Sequence, residues 1–127
     1  WESVGQVGQP NGLPSGFGFP VVSHPAEADT AYVVPLESGT YRCTPGRCRV
    51  YRTTNGGTSW EPLSDGLPGT HAYLTVLRDA FTVGAEPPYP LVFGTESGHV
   101  FASQDSGDSW RLVTSYLPPI LCVRVLE

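Results

Sequence analysis

A chain of 127 residues with 39% hydrophobic and only 15% charged residues, 15 Gly and 13 Pro has the makings of short strands joined by many turns, and excludes a helical bundle or a disordered tail. The net charge of −5, with seven Lys and Arg scattered singly, leaves no basic footprint for nucleic acid or an anionic membrane. No apolar run approaches the roughly 20 residues of a membrane span.

Taken in chain order, Trp1–Val4 reads as a closing strand. Four β-type runs follow: Phe17–Val22, Ala31–Leu36, Arg49–Arg52 and Trp60–Leu63. Four more follow these: Tyr73–Phe81, Pro90–Gly94, Val100–Ala102 and Trp110–Val113. Leu121–Leu126 then reads as an opening strand. The runs are rich in Val, Leu, Tyr and Phe and are bounded by Gly, Pro, Ser and Asn. Pro20 and Pro90 count against central positions, because proline has no N–H to donate to a ladder.

The runs repeat. Trp1-Glu2-Ser3-Val4, Trp60-Glu61-Pro62-Leu63 and Trp110-Arg111-Leu112-Val113 share one pattern, and each is followed by Leu-Pro (Leu13-Pro14, Leu67-Pro68, Leu117-Pro118). Asn11-Gly12 and Asp65-Gly66 extend two of these matches backwards, and Glu37-Ser38-Gly39 matches Glu96-Ser97-Gly98. The tryptophans are 59 and 50 residues apart, and a nine-residue insertion in the first unit accounts for the difference. Four strands in about 40–50 residues is the period of a propeller blade. The expected class is therefore all-β, a β-propeller fragment of about two four-stranded antiparallel blades with one flanking strand at each end. Its expected parts are residues 1–4 (last strand of a preceding blade), 5–63 (first blade), 64–113 (second blade) and 114–127 (first strand of a following blade). Two blades cannot close a ring and open sheet edges invite pairing. The expected partners are thus the remaining blades of the same propeller, or a second copy.

Each unit carries an eight-residue turn, Thr53-Thr54-Asn55-Gly56-Gly57-Thr58-Ser59-Trp60 and Ser103-Gln104-Asp105-Ser106-Gly107-Asp108-Ser109-Trp110. Asp105, and Asn55 through its side-chain oxygen, can accept backbone N–H bonds within the turn. Gly57 and Gly107 stand where positive φ is needed. Thr53, Ser59, Ser103 and Ser109 can add hydroxyl bonds, and Trp60 and Trp110 bury a ring as the next strand begins. These residues read as a structural staple. Asp105 and Asp108 with nearby carbonyls offer too few oxygens for a dedicated calcium cage of roughly 6–8 ligands, so no metal and no cofactor is expected.

The turn resembles the Asp box, or BNR repeat, Ser-x-Asp-x-Gly-x-Thr/Ser-Trp. Residues 103–110 match it fully, and residues 53–60 match with Thr for Ser and Asn for Asp. Together with the flanking strands, the chain resembles propellers of sialidase-like and glycosyl-hydrolase-like BNR proteins. Sortilin-type receptors and xyloglucanase-type hydrolases share the box. The resemblance implies a propeller with its boxes on the rim, away from any active site, and a glycan or protein as ligand. It also implies that the first strand of each blade lines a central channel. Sialidases of this kind use an arginine in an Arg-Ile-Pro motif, which is absent here.

Arg78-Asp79 interrupts Tyr73–Phe81, and Arg124 interrupts Leu121–Leu126. On adjacent inner strands the two arginines would clamp a carboxylate or sugar acid; an Arg78–Asp79 ion pair bracing the wall is the structural alternative. No zinc-type spacing accompanies His24, His71 or His99, and no Gly-x-Ser-x-Gly nucleophile motif is present. The insertion carries Tyr41, Arg42, Cys43 and Cys48 around a Pro45-Gly46 turn. Tyr41 and Arg42 are candidate ligand contacts. Cys43 and Cys48 are spaced for a hairpin disulfide in an oxidising compartment, or stand as free thiols in a reducing one. Cys122, in an apolar run, is expected to be a buried inert thiol.

Overall fold

A computed structural model describes residues 20–35, 48–68 and 74–126. The fold is all-β. Strands β1 (Val21–Ser23), β2 (Ala31–Val33), β3 (Val50–Thr53) and β4 (Glu61–Leu63) form one antiparallel sheet in sequential order. Strands β5 (Phe81–Val83), β6 (Leu91–Gly94), β7 (Val100–Ser103) and β8 (Arg111–Thr114) form a second. The registers correspond: Ala31 faces Thr53 and Leu91 faces Ser103. Pro20 and Pro90 stand immediately before β1 and β6, where no ladder N–H is required. Each still accepts through its carbonyl, from Val34 N at 3.1 Å and from Gly84 N at 2.8 Å.

Both faces of β2 are buried, which accounts for the unbroken apolar run Ala31–Val34. Ala31 and Val33 join Tyr51 and Trp60 in a small cluster. Tyr32 and Val34 join Val50, Leu63 and the inner face of the second sheet in the main core. There Phe93 is the centre. It stacks on Phe101 at 5.2 Å between centroids and meets Trp110 edge-on at 5.4 Å and Phe81 at 6.1 Å. These offset and edge geometries suit the aromatic quadrupole. The sheets thus pack face to face, one side of the first against the opposite side of the second.

Two expected strands are corrected. Within Tyr73–Phe81, residues Arg78–Ala80 form a 3-10 turn, and β5 begins only at Phe81. A strand through this stretch would aim either Arg78 or Asp79 at the core; the turn exposes both and buries Ala80. Leu121–Leu126 forms no ladder, since a strand exists only against a partner and none lies beside it among the described residues. It is held instead by Val123 N to Asp79 O at 3.0 Å, while Ile120 N donates to Thr95 O at 3.0 Å. Trp1–Val4 and the insertion 36–47 lie outside the described residues.

The second sheet ends in a β-bulge. Phe101 faces Leu112 but Val100 faces Thr114, so Val113 is an extra residue on the edge strand.

Candidate functional site

The two eight-residue turns connect β3 to β4 and β7 to β8, and their hydrogen bonds correspond position by position. In the second, Ser103 Oγ donates to Asp105 Oδ1 at 2.7 Å and accepts from Gly107 N at 2.9 Å. Ser109 N donates to Asp105 Oδ1 at 2.9 Å, and the Ser109 hydroxyl donates to Asp105 Oδ2. In the first, Thr53 Oγ1 donates to Asn55 Oδ1 at 2.8 Å and accepts from Gly57 N at 2.9 Å. Ser59 N donates to Asn55 Oδ1 at 3.0 Å, and Asn55 Nδ2 donates to Ser59 Oγ at 2.8 Å. The amide therefore replaces the carboxylate by reversing one bond. The Ser109 bonds, hydroxyl first and backbone second, with Ser103 behind them, hold the Asp105 carboxyl below its ordinary range. Both its oxygens are engaged, so they are not spare ligands for a cation.

Two successive residues in each turn have positive φ, Gly56 and Gly57 at 70° and 92°, Ser106 and Gly107 at 62° and 89°. Ser106 shows that the first of these positions tolerates a side chain. The second does not in the 103–110 turn, because a Cβ on Gly107 would lie 2.6 Å from Leu63 Cδ1. That neighbour is in β4 of the other sheet. Trp110 closes the turn, donating from Nε1 to Gly107 O at 3.0 Å.

The second turn is also a joint between the sheets. Arg52, on β3, donates through NH1 to Ser106 O at 2.8 Å and to Asp108 Oδ1 at 3.0 Å. Its Nε donates to Glu61 Oε1 at 2.7 Å on the adjacent strand. Burial works against the Arg52 charge, but Glu61 and Asp108 outweigh it and raise its affinity for the proton. Beneath it Tyr32 is fully buried, with its hydroxyl bonded to Ser106 and Arg52; burial raises its pKa despite the cation. Behind the turn, Trp110 N donates to Asp65 O at 2.8 Å. A Cβ on Gly66, whose φ is +88°, would lie 1.9 Å from Trp110 O. The repeated Asp-Gly-Leu-Pro landmark is thus where the first unit receives the tryptophan of the second.

Beside this joint lies a cleft of about 160 Å³ lined by His24, Glu27, Thr30, Tyr32, Arg52, Thr54 and Ser106. His24 Nδ1 accepts from the backbone N–H of Ala26 and Glu27 at 3.0 and 3.1 Å. That fixes the neutral tautomer with its proton on Nε2. The imidazole lies against Tyr89, 4.6 Å between centroids.

The other candidates are distributed differently. Arg78 and Asp79 are exposed in the 3-10 turn and are not on an inner strand. Arg124 is nevertheless brought to them: its NH1 donates to Asp79 O at 3.4 Å and to Val123 O at 2.7 Å. Tyr41, Arg42 and Cys43 lie outside the described residues. Cys48 is a free, buried thiol pushed up to about 12 by desolvation. Cys122 is exposed, contrary to its apolar surroundings in sequence, because its segment joins no sheet.

The residues missed in the sequence are Arg52, Tyr32 and His24. A signal for Arg52 did exist. Aligned on the tryptophans, Arg52 and Glu61 of the first unit correspond to Ala102 and Arg111 of the second. The first pair is a cross-strand salt bridge and the second is not. Compared with known proteins, the chain matches no family model and no characterised relative.

Proposed function

We propose that the chain is a segment of an Asp-box propeller and serves as a recognition or scaffold module for a glycan or protein. The observation that carries this reading is the use of the box residues. Every polar side chain of the motif, from Ser103 and Asp105 to Ser109, is spent on its own turn, and the turn is spent on joining two sheets. A motif so occupied builds a platform and leaves chemistry to other residues.

The cleft beside the joint supplies a recognition surface. It offers an imidazole N–H, a carboxylate and threonine hydroxyls at the edge of an aromatic pair, a mixture suited to one hydroxyl-rich unit such as a sugar residue. The test is titration calorimetry of the chain with a panel of neutral and acidic monosaccharides and short oligosaccharides. Binding that weakens at least about tenfold in His24→Ala and Thr54→Ala supports the reading. Binding untouched by both variants, or no binding by any member of the panel, contradicts it.

A glycoside hydrolase whose catalytic residues lie partly on further blades is the second reading. What favours it is the meeting of Arg124 with the Arg78-Asp79 turn. Turnover of fluorogenic glycosides by the full-length protein that collapses in Arg78→Ala would support it; unchanged turnover would count against these residues.

A further inference from the structure

Six of the seven large apolar side chains exposed among the described residues fall within residues 112–126: Leu112, Val113, Tyr116, Leu117, Leu121 and Leu126. Such a concentration marks a contact surface rather than scatter. The chain itself displays what covers the corresponding surface of its first unit. Leu63 is 8% exposed because the 103–110 turn sits on it; its counterpart Val113 is 49% exposed. Arg52 reaches across the sheets to Ser106 O and Asp108. At its counterpart Ala102, a cleft of about 270 Å³ opens instead, lined also by Gln104 and Arg111. Arg111 is exposed and makes no ion pair among the described residues.

The chain also carries a second turn of matching shape. Residues 53–60 repeat the backbone of residues 103–110, including the two positive φ values. Thr54, Asn55, Gly56 and Thr58 at its tip are exposed. It has no acid in the place of Asp108, but exposed Asp29 stands beside it, accepting through its backbone carbonyl from Gly56 N at 3.0 Å. We propose that the β8 face of one copy receives the 53–60 turn of a second copy, head to tail. Leu112 and Val113 lie under the turn, and Arg111 pairs with Asp29 and the Gly56 carbonyl as Arg52 pairs with Asp108 and the Ser106 carbonyl. The contact is heterologous, so successive copies extend or close into a ring. It stands independently of the ligand proposed above.

Sedimentation velocity tests it. The average mass of the wild-type chain should rise from micromolar to near-millimolar concentration, and less so at high salt. Val113→Arg, blocked at the tail, and Asp29→Arg, blocked at the head, should each associate at least about tenfold more weakly. Mixed together, they should form a 1:1 dimer, because each keeps the half the other has lost. Circular dichroism verifies that both fold, and Arg111→Glu replaces Val113→Arg if that variant does not. A wild-type chain that stays monomeric throughout, single variants that associate as wild type does, or a mixture that stays monomeric would each overturn the proposal.

Discussion

At the scale of single residues, Asp105 tests the staple most sharply. Alanine removes the acceptor for two hydroxyls and one amide, and should cost about 1–2 kcal/mol in a urea melt. Asparagine, already in use at the equivalent position 55, should cost less. The two replacements also separate in pH. Because folding lowers the Asp105 pKa, its contribution is present above the unfolded carboxyl value of roughly 3.9 and is lost as pH falls through the lower folded value. Asp105→Asn should therefore flatten the acid limb of the stability curve below about pH 4 and leave neutral pH little changed. An acid limb identical to wild type would show that Asp105 does not titrate with folding. The thiols divide in the same local way. Cys122 should react with a disulfide reagent at once at pH 8, while Cys48, buried and raised to about 12, should react only on unfolding.

At the scale of elements, the turn chemistry was legible in the sequence because it is local: acceptor, hydroxyl, glycine and tryptophan all act within eight residues. The strands Ala31–Val33, Val50–Thr53 and Val100–Ser103 were legible for the same reason, as short apolar runs between turn formers. What was not legible depends on a distant partner. The 78–80 stretch turns because a polar dipeptide must stay out of a core assembled by other strands. Residues 121–126 have strand composition without a strand to pair with. The Asp-Gly-Leu-Pro repeat was visible, but its purpose required seeing Trp110 arrive at Gly66. Gly66→Ala should destabilise by about 2–4 kcal/mol, from φ strain plus overlap with the Trp110 carbonyl. A thermal shift within error of zero would mean the approach is looser than 1.9 Å implies.

At the scale of the whole molecule, two sheets of one design are joined by a turn that serves twice, closing its own hairpin and docking on its neighbour. Hydrophobic packing around Phe93 supplies the bulk of that joint. Arg52 supplies its register, since a planar guanidinium satisfies Glu61, Ser106 O and Asp108 together only in one arrangement. The most direct measurement is a double-mutant cycle in urea between Arg52→Ala and Asp108→Ala, residues on different sheets and 56 positions apart in the chain. A docked joint gives a favourable coupling of about 0.5–1.5 kcal/mol that shrinks in high salt. Additive losses with no coupling would contradict the claim that the second turn holds the two sheets together.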